Sequence, residues 1–163
     1  MAAAPRFFVS APRVILYDGV CNLCNSGIRF VARRDISASI NFCAVQSSQA
    51  QPYLDVCRLT REEVLQQFVF IQGDRFSRAS TAALDVAGHL KFPWPLARIF
   101  LAVPLPARDA MYNFVAHNRY QLFGKTIKCQ VPDRTLLERC LDANELVAAQ
   151  YLPDEADRKT HGS

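Results

Sequence analysis

The stretch Tyr17-Asp18-Gly19-Val20-Cys21-Asn22-Leu23-Cys24-Asn25 decides how the rest of the chain is read. Two cysteines separated by two residues bring both sulfurs to one end of a helix, where they can join to each other or share a metal. Upstream, Val14-Ile15-Leu16-Tyr17 is a short apolar run with β-branched residues, closed by Asp18-Gly19, the pattern of a buried strand ending in a turn. Downstream, Leu23, Gly27, Ile28, Phe30, Val31 and Ala32 recur at helical spacing. Arg33 and Arg34 close that segment, where cations suit the negative pole of a helix. A strand therefore runs straight into a helix whose first turn holds both cysteines. Free backbone N–H groups and the positive end of the helix dipole would stabilise a thiolate at Cys21.

Residues 40–45 form a second apolar segment with Cys43 as a core residue, and the intervening helix makes a β-α-β unit with a parallel strand pair. Residues 46–58 are polar and broken by Pro52. Thr60-Arg61-Glu62-Glu63 has the form of a capping box opening a short helix through Gln67. Residues 68–71 and 75–77 read as a hairpin turning at Gly73-Asp74. Ser80 is placed to cap the next helix, with Ala83, Leu84, Val86, Ala87 and Leu90 on its apolar side. The order β-α-β-α-β-β-α over residues 14–90 is an α/β fold with a thioredoxin-like core.

Past Leu90 the expectation is a helical C-terminal annex. Prolines bracket an apolar segment at 96–103. Residues 107–123 read as a helix with Met111, Phe114, Val115 and Leu122 on one face and Gly124 beyond its end. Asp133 suits the cap of a helix carrying Leu136, Leu137, Cys140 and Leu141, and residues 145–151 suit another. The expected organisation is a disordered or targeting N-terminus over 1–13, a thioredoxin-like domain over 14–132 that includes the annex from about residue 92, and a helical extension over 133–163 with a frayed tail.

At 163 residues, half of them hydrophobic, the chain can bury one genuine core. The net charge of +4 is dispersed, with no run of like charges and no basic-aromatic alternation, which argues against a nucleic-acid partner. No apolar run approaches the roughly 20 residues of a transmembrane helix. The opening residues lack a secretory signal, though their acid-free, arginine-bearing composition would suit a short transit peptide. An intracellular protein of the cytoplasm or of an organelle, mitochondrion or plastid, is expected. The scattered cysteines Cys43, Cys57, Cys129 and Cys140 then read as buried thiols of a reducing compartment. Glycine is scarce and no Gly-rich loop follows a strand, so no nucleotide cofactor is indicated.

With these residues in view, the chain resembles the DCC family of thiol-disulfide oxidoreductases, named for an Asp-Cys-Cys signature. Tyr17-Asp18-Gly19-Val20-Cys21-Asn22-Leu23-Cys24 fits its opening motif, and Arg108-Asp109-Ala110-Met111-Tyr112, Asn118-Arg119-Tyr120, Phe123-Gly124 and Cys129 are similar to its C-terminal half. The resemblance spans 14–132, and residues 133–163 are additional to it. It implies a thioredoxin-like fold and dithiol-disulfide exchange with a protein or small-molecule thiol or disulfide, recycled by glutathione or a thioredoxin-type reductant. One departure stands out: thioredoxins place a cis-proline before the strand facing the cysteines, and Gln66-Gln67-Phe68 holds no proline.

For exchange, Cys21 is expected to attack, being nearer the helix start, and Cys24, one turn deeper, to resolve the mixed disulfide. Asp18 is either a base for the Cys24 proton or the acceptor of an Asx turn. Arg119 is either a thiolate stabiliser or a salt bridge tying the annex to the core. His89 and His117 read as ordinary side chains. The rival chemistry is a zinc or iron-sulfur site built from Cys21, Cys24, Cys129 and a histidine. A third reading is a non-enzymatic adaptor using Phe92, Trp94, Ile99, Phe100 and Leu101 as a membrane or partner surface, although burial of these residues against the sheet is expected instead.

Overall fold

The computed structural model describes residues 13–126 and 133–151. Strand β1 (Arg13–Tyr17) leads into helix α1 (Asn22–Arg34) and strand β2 (Asn41–Ala44), followed by a 3-10 turn (Ser48–Ala50), α2 (Gln51–Cys57) and α3 (Arg61–Gln66). Next come β3 (Val69–Gln72), β4 (Arg75–Arg78) and α4 (Ala79–Ala87). A 3-10 segment (Trp94–Ala102), the long α5 (Leu105–Phe123), α6 (Arg134–Leu137) and α7 (Ala143–Tyr151) complete the described elements. The strands form one sheet in the order β2-β1-β3-β4, with β1 and β2 parallel and β3 antiparallel to both its neighbours. A β-α-β unit and a β-β-α unit on one mixed sheet make the thioredoxin-like α/β arrangement expected from the sequence.

Side chains alternate across the sheet as strand geometry requires. Val14, Leu16, Cys43, Val45, Val69 and Ile71 pack against α2 and α3 on one face. Ile15, Tyr17, Phe42, Ala44 and Phe70 pack on the other against Ile28 of α1 and Ala82 and Val86 of α4. This double burial explains why β1 reads as a continuous apolar run rather than an alternating one. The capping box is present: Glu63 N–H donates to Thr60 Oγ1 at 3.2 Å, and Thr60 N–H donates to Glu63 Oε2 at 2.8 Å.

Several local expectations give way. Residues 51–57 are helical, because Pro52 falls in the first turn of α2, where a missing N–H breaks no bond. Ser80 does not cap α4; Arg78 holds that position, and the Ser80 hydroxyl donates to Asp109 of α5 instead. Asp133 holds the N-cap position of α6 as expected, but its carboxylate makes no capping bond; its carbonyl accepts the first helical N–H groups, from Leu136 and Leu137. The aromatic segment is the largest departure. With α1 and α4 already covering that face of the sheet, the 3-10 segment lies outside α4, leaving Phe92 77% and Ile99 74% exposed. Trp94 finds a ring, meeting Phe30 edge-on at 4.7 Å.

The residues after α6 cover the free edge of β2. Phe42 N–H donates to Arg139 O at 2.9 Å and Leu141 N–H to Phe42 O at 2.8 Å, which shields an edge that could otherwise pair with another chain. Arg139 also reaches Asp35 at 2.5 Å, beside the Ile40 N–H that the same carboxylate accepts at 2.9 Å.

Candidate functional site

The carboxyl ends of β1 and β2 lie side by side in register, Tyr17 opposite Ala44, so the residues that leave these strands meet at one place. Cys21 is the N-cap of α1, and its sulfur accepts the Cys24 backbone N–H at 3.4 Å, the part an oxygen plays in an ordinary cap. The thiol of Cys24 also donates to Cys21, and with that N–H and the Arg119 charge it outweighs burial and the repulsion of Asp18. The Cys21 thiol is thereby lowered to about 6. Cys24 is pushed strongly the other way, because its proton serves Cys21, it is buried, and it faces the Cys21 charge. The pair is thus one thiolate and one proton-holding thiol, with the thiolate at Cys21 as the helix dipole argument requires.

Asp18 is 2% exposed and acts as a hub. Its Oδ1 accepts Val20 N–H at 3.2 Å and Gln46 Nε2 at 2.7 Å, while Oδ2 accepts Arg119 Nη2 at 3.3 Å and the Tyr120 hydroxyl. A carboxylate offers about four acceptor directions, and these four donors occupy them. The Val20 bond is the Asx turn. Arg119 does what both of its readings required. It ties α5 to the core through Asp18 and Leu65 O, it donates to Ala116 O of its own helix at 3.0 Å, and its charge bears on both thiols.

Where thioredoxins carry a cis-proline, α5 holds the approach to β3 instead. Phe68 N–H donates to the Tyr112 hydroxyl at 3.3 Å, and Gln67 Nε2 donates to Asn113 Oδ1 at 3.0 Å. Two contributors were missed from the sequence. Asn25 is buried, its Nδ2 bonding Gly19 O and Cys21 O at 2.8 Å each, so it stitches the turn to the helix. A polar residue one turn inside an apolar helix face was the available signal. Gln46, which also accepts Gly19 N–H at 3.0 Å, follows β2 directly and could have been placed by the parallel register.

Access to the two cysteines is unequal. Cys21 is wholly buried, because the chain leaving α5 crosses it. Thr126 N–H donates to Val20 O at 2.8 Å, Asn22 N–H donates to Gly124 O at 3.3 Å, and Cys21 pairs with Lys125 as an isolated antiparallel bridge. Gly124 permits this strap: its φ is +77°, and a Cβ there would stand 3.1 Å from Asn22 Nδ2. Gly124→Ala is expected to destabilise the strap by about 1 kcal/mol. A rise in the iodoacetamide alkylation rate of Cys21, read by mass spectrometry, checks this; an unchanged rate shows that the strap does not shield the sulfur. Cys24, by contrast, is half-buried and lines an open cleft.

The other candidates lie apart. His89 faces Gln72 Oε1 at 3.1 Å and the edge of Phe70, and His117 is exposed with Nδ1 2.7 Å from Asn113 O. Burial pushes the Cys57 thiol up to about 11 and Cys140 to about 12, and Cys43 higher still, so these are inert core thiols. Among the described residues no three His, Cys, Asp or Glu side chains gather as a metal site. Cys129, the third ligand of the metal reading, lies outside the described residues.

The chain matches the family model described as DCC1-like thiol-disulfide oxidoreductase over residues 15–125, a span that includes Asp18, Cys21, Cys24, Asn25, Gln46, Arg119 and Tyr120. It is 43% identical over 129 residues to the uncharacterized protein YuxK of Bacillus subtilis strain 168, covering 79% of this chain and 93% of that one. It is 36% identical over 119 residues to a chloroplastic DCC family protein of Arabidopsis thaliana, covering 72% and 69% respectively. No solved structure matches the chain.

Proposed function

The chain belongs to the DCC1-like thiol-disulfide oxidoreductase family, and from that premise we propose that it catalyses thiol-disulfide exchange through a reversible bond between Cys21 and Cys24. The observation that carries the reading is the capping of α1 by Cys21 sulfur, 3.4 Å from Cys24 N–H, which stabilises one thiolate beside a thiol able to pair with it. Cys21 is the charged member of the pair and Cys24 the proton reservoir. Asp18 positions Arg119 and the Gly19-Val20 turn. The reaction calls for no nucleotide, and a thiol such as glutathione or a thioredoxin-type protein would restore the dithiol. No helix among the described residues is long and apolar enough to cross a membrane. A reducing intracellular compartment, cytoplasm or organelle, is the proposed site of action.

A redox titration in glutathione buffers, with free thiols trapped and the Cys21–Cys24 state read by mass spectrometry, tests this. The expected result is a two-electron transition between about −120 and −270 mV, the range of catalytic dithiols. Failure to form the disulfide, or thiols that stay protected until a chelator is added, would overturn the proposal in favour of a metal site.

A further inference from the structure

Exchange between two cysteines accounts for the strap, the hub and the helix start, but not for the cleft beside them. A cavity of about 440 Å³ opens among α1, the approach to β3, α4, the 3-10 segment and α5. Leu23, Val31, Phe68, Val86, Leu90 and Val115 make its wall apolar. The polar side chains of Asp18 and Tyr112 in that wall are already bonded, to the hub donors and to Phe68 N–H. Two reactive features remain. Cys24 lines the cleft, whereas Cys21 does not. Arg119 also lines it, 8% exposed, with its Nε–H buried and lacking an acceptor.

We propose that this cleft is the substrate site, that it takes a small apolar thiol or its disulfide, and that the substrate sulfur exchanges at Cys24 and not at Cys21. The inference rests on the exchange reading above and deepens it. The volume suits a small molecule. A peptide would bring N–H and C=O groups at every residue into a wall that offers them few partners, and each unpaired group is costly. The Arg119 charge complements the thiolate form of the substrate. Reactivity points the same way as access. In thiol-disulfide exchange the sulfur of the more acidic thiol leaves more readily, and Cys21 is that thiol.

The substrate thiolate forms a bond to Cys24 Sγ as the Cys21–Cys24 bond breaks, and Cys21 leaves with the electron pair as a thiolate. A second substrate thiolate then attacks the substrate sulfur, giving the substrate disulfide, and Cys24 departs and takes a proton from solvent. Two substrate thiols are oxidised and the protein disulfide is reduced by two electrons. Run in reverse, the same steps reduce the substrate disulfide.

The test begins with wild-type protein oxidised to the Cys21–Cys24 disulfide, reduced in turn by benzyl thiol and by glutathione at equal thiolate concentrations. Benzyl thiol is expected to react about tenfold faster, since its ring gains apolar burial in the cleft. An acid-quenched mixed disulfide is expected on Cys24 by peptide mapping. Gly27→Leu supplies a second arm: an added Cβ at Gly27 meets nothing within 4 Å, so the new side chain fills open space along the α1 wall. Its ratio of benzyl thiol to glutathione rates should fall towards one. Equal rates in wild type, an adduct on Cys21, or an unchanged ratio in folded Gly27→Leu each overturn the cleft assignment while leaving exchange intact. If no Cys21–Cys24 disulfide can be formed, the exchange reading fails and the cleft assignment fails with it.

Discussion

Arg119→Met should lower the unfolding free energy by about 3–5 kcal/mol, the range seen when one partner of a buried ion pair is removed. The pair in question is closed to solvent on both sides, with side-chain exposures of 10% for Arg119 and 2% for Asp18. Methionine approximates the arginine stem but leaves the Asp18 carboxylate with only Tyr120, Gln46 and Val20 as donors, and removes the side-chain donor to Leu65 O. Urea unfolding measures the loss. Adding Asp18→Asn should recover part of it, because the uncompensated charge is then gone, and the non-additivity of the two changes measures their coupling. A loss below about 1 kcal/mol would mean that the pair behaves like a solvent-screened surface bridge and that the hub has another origin.

Cys24→Ala should abolish turnover, since no intramolecular disulfide can then form, and should also change the acidity of the thiol left behind. The Cys24 thiol is the largest of the influences that hold Cys21 near 6, ahead of the Cys24 N–H and the Arg119 charge. Without it, Cys21 is expected to rise towards the ordinary value of 9.0. The thiolate fraction at neutral pH then falls by at least about tenfold. The pH profile of iodoacetamide alkylation, in the Gly124→Ala background if the strap proves too slow to open, reads the midpoint in each protein. A midpoint unmoved in Cys24→Ala would assign the acidity to the helix start and Arg119 alone. A linked effect has a definite sign. Between about pH 6 and 9 the folded Cys21 has lost a proton that the unfolded chain still holds, so reduced wild-type protein should gain stability as pH rises through this window. The gain should shrink in Cys24→Ala.

The scaffold was legible because its signals are local. The apolar run at β1, the helical spacing after Cys24, the Thr60–Glu63 box and the Gly73-Asp74 turn each act within a few residues, and each formed where expected. The site was legible only in part. Cys21 and Cys24 announce themselves by spacing, but the distant partners of Asp18 come from the segment after β2 and from α5, and no local pattern says that Gln46 and Tyr120 reach it. The unequal access of the two thiols was invisible for the same reason, being made by the backbone of residues 124–126. The aromatic segment misled because hydrophobicity predicts burial only where a face remains to be covered, and α4 had already taken that face. Pro52 misled because its meaning depends on which turn of a helix it enters.

The separation along the chain between Asp18 and its two α5 partners, 101 residues to Arg119 and 102 to Tyr120, sets an order of events on the ribosome. At ordinary elongation rates the dithiol emerges about 5 to 20 seconds before the guanidinium that will neutralise Asp18. Throughout that interval the strap is unmade, and both sulfurs meet whatever oxidant the compartment holds. A nascent chain therefore carries its reactive pair unprotected, and docking of α5 and the residues that follow it is the step that converts two ordinary cysteines into one acidic, shielded thiol and one that faces the cleft.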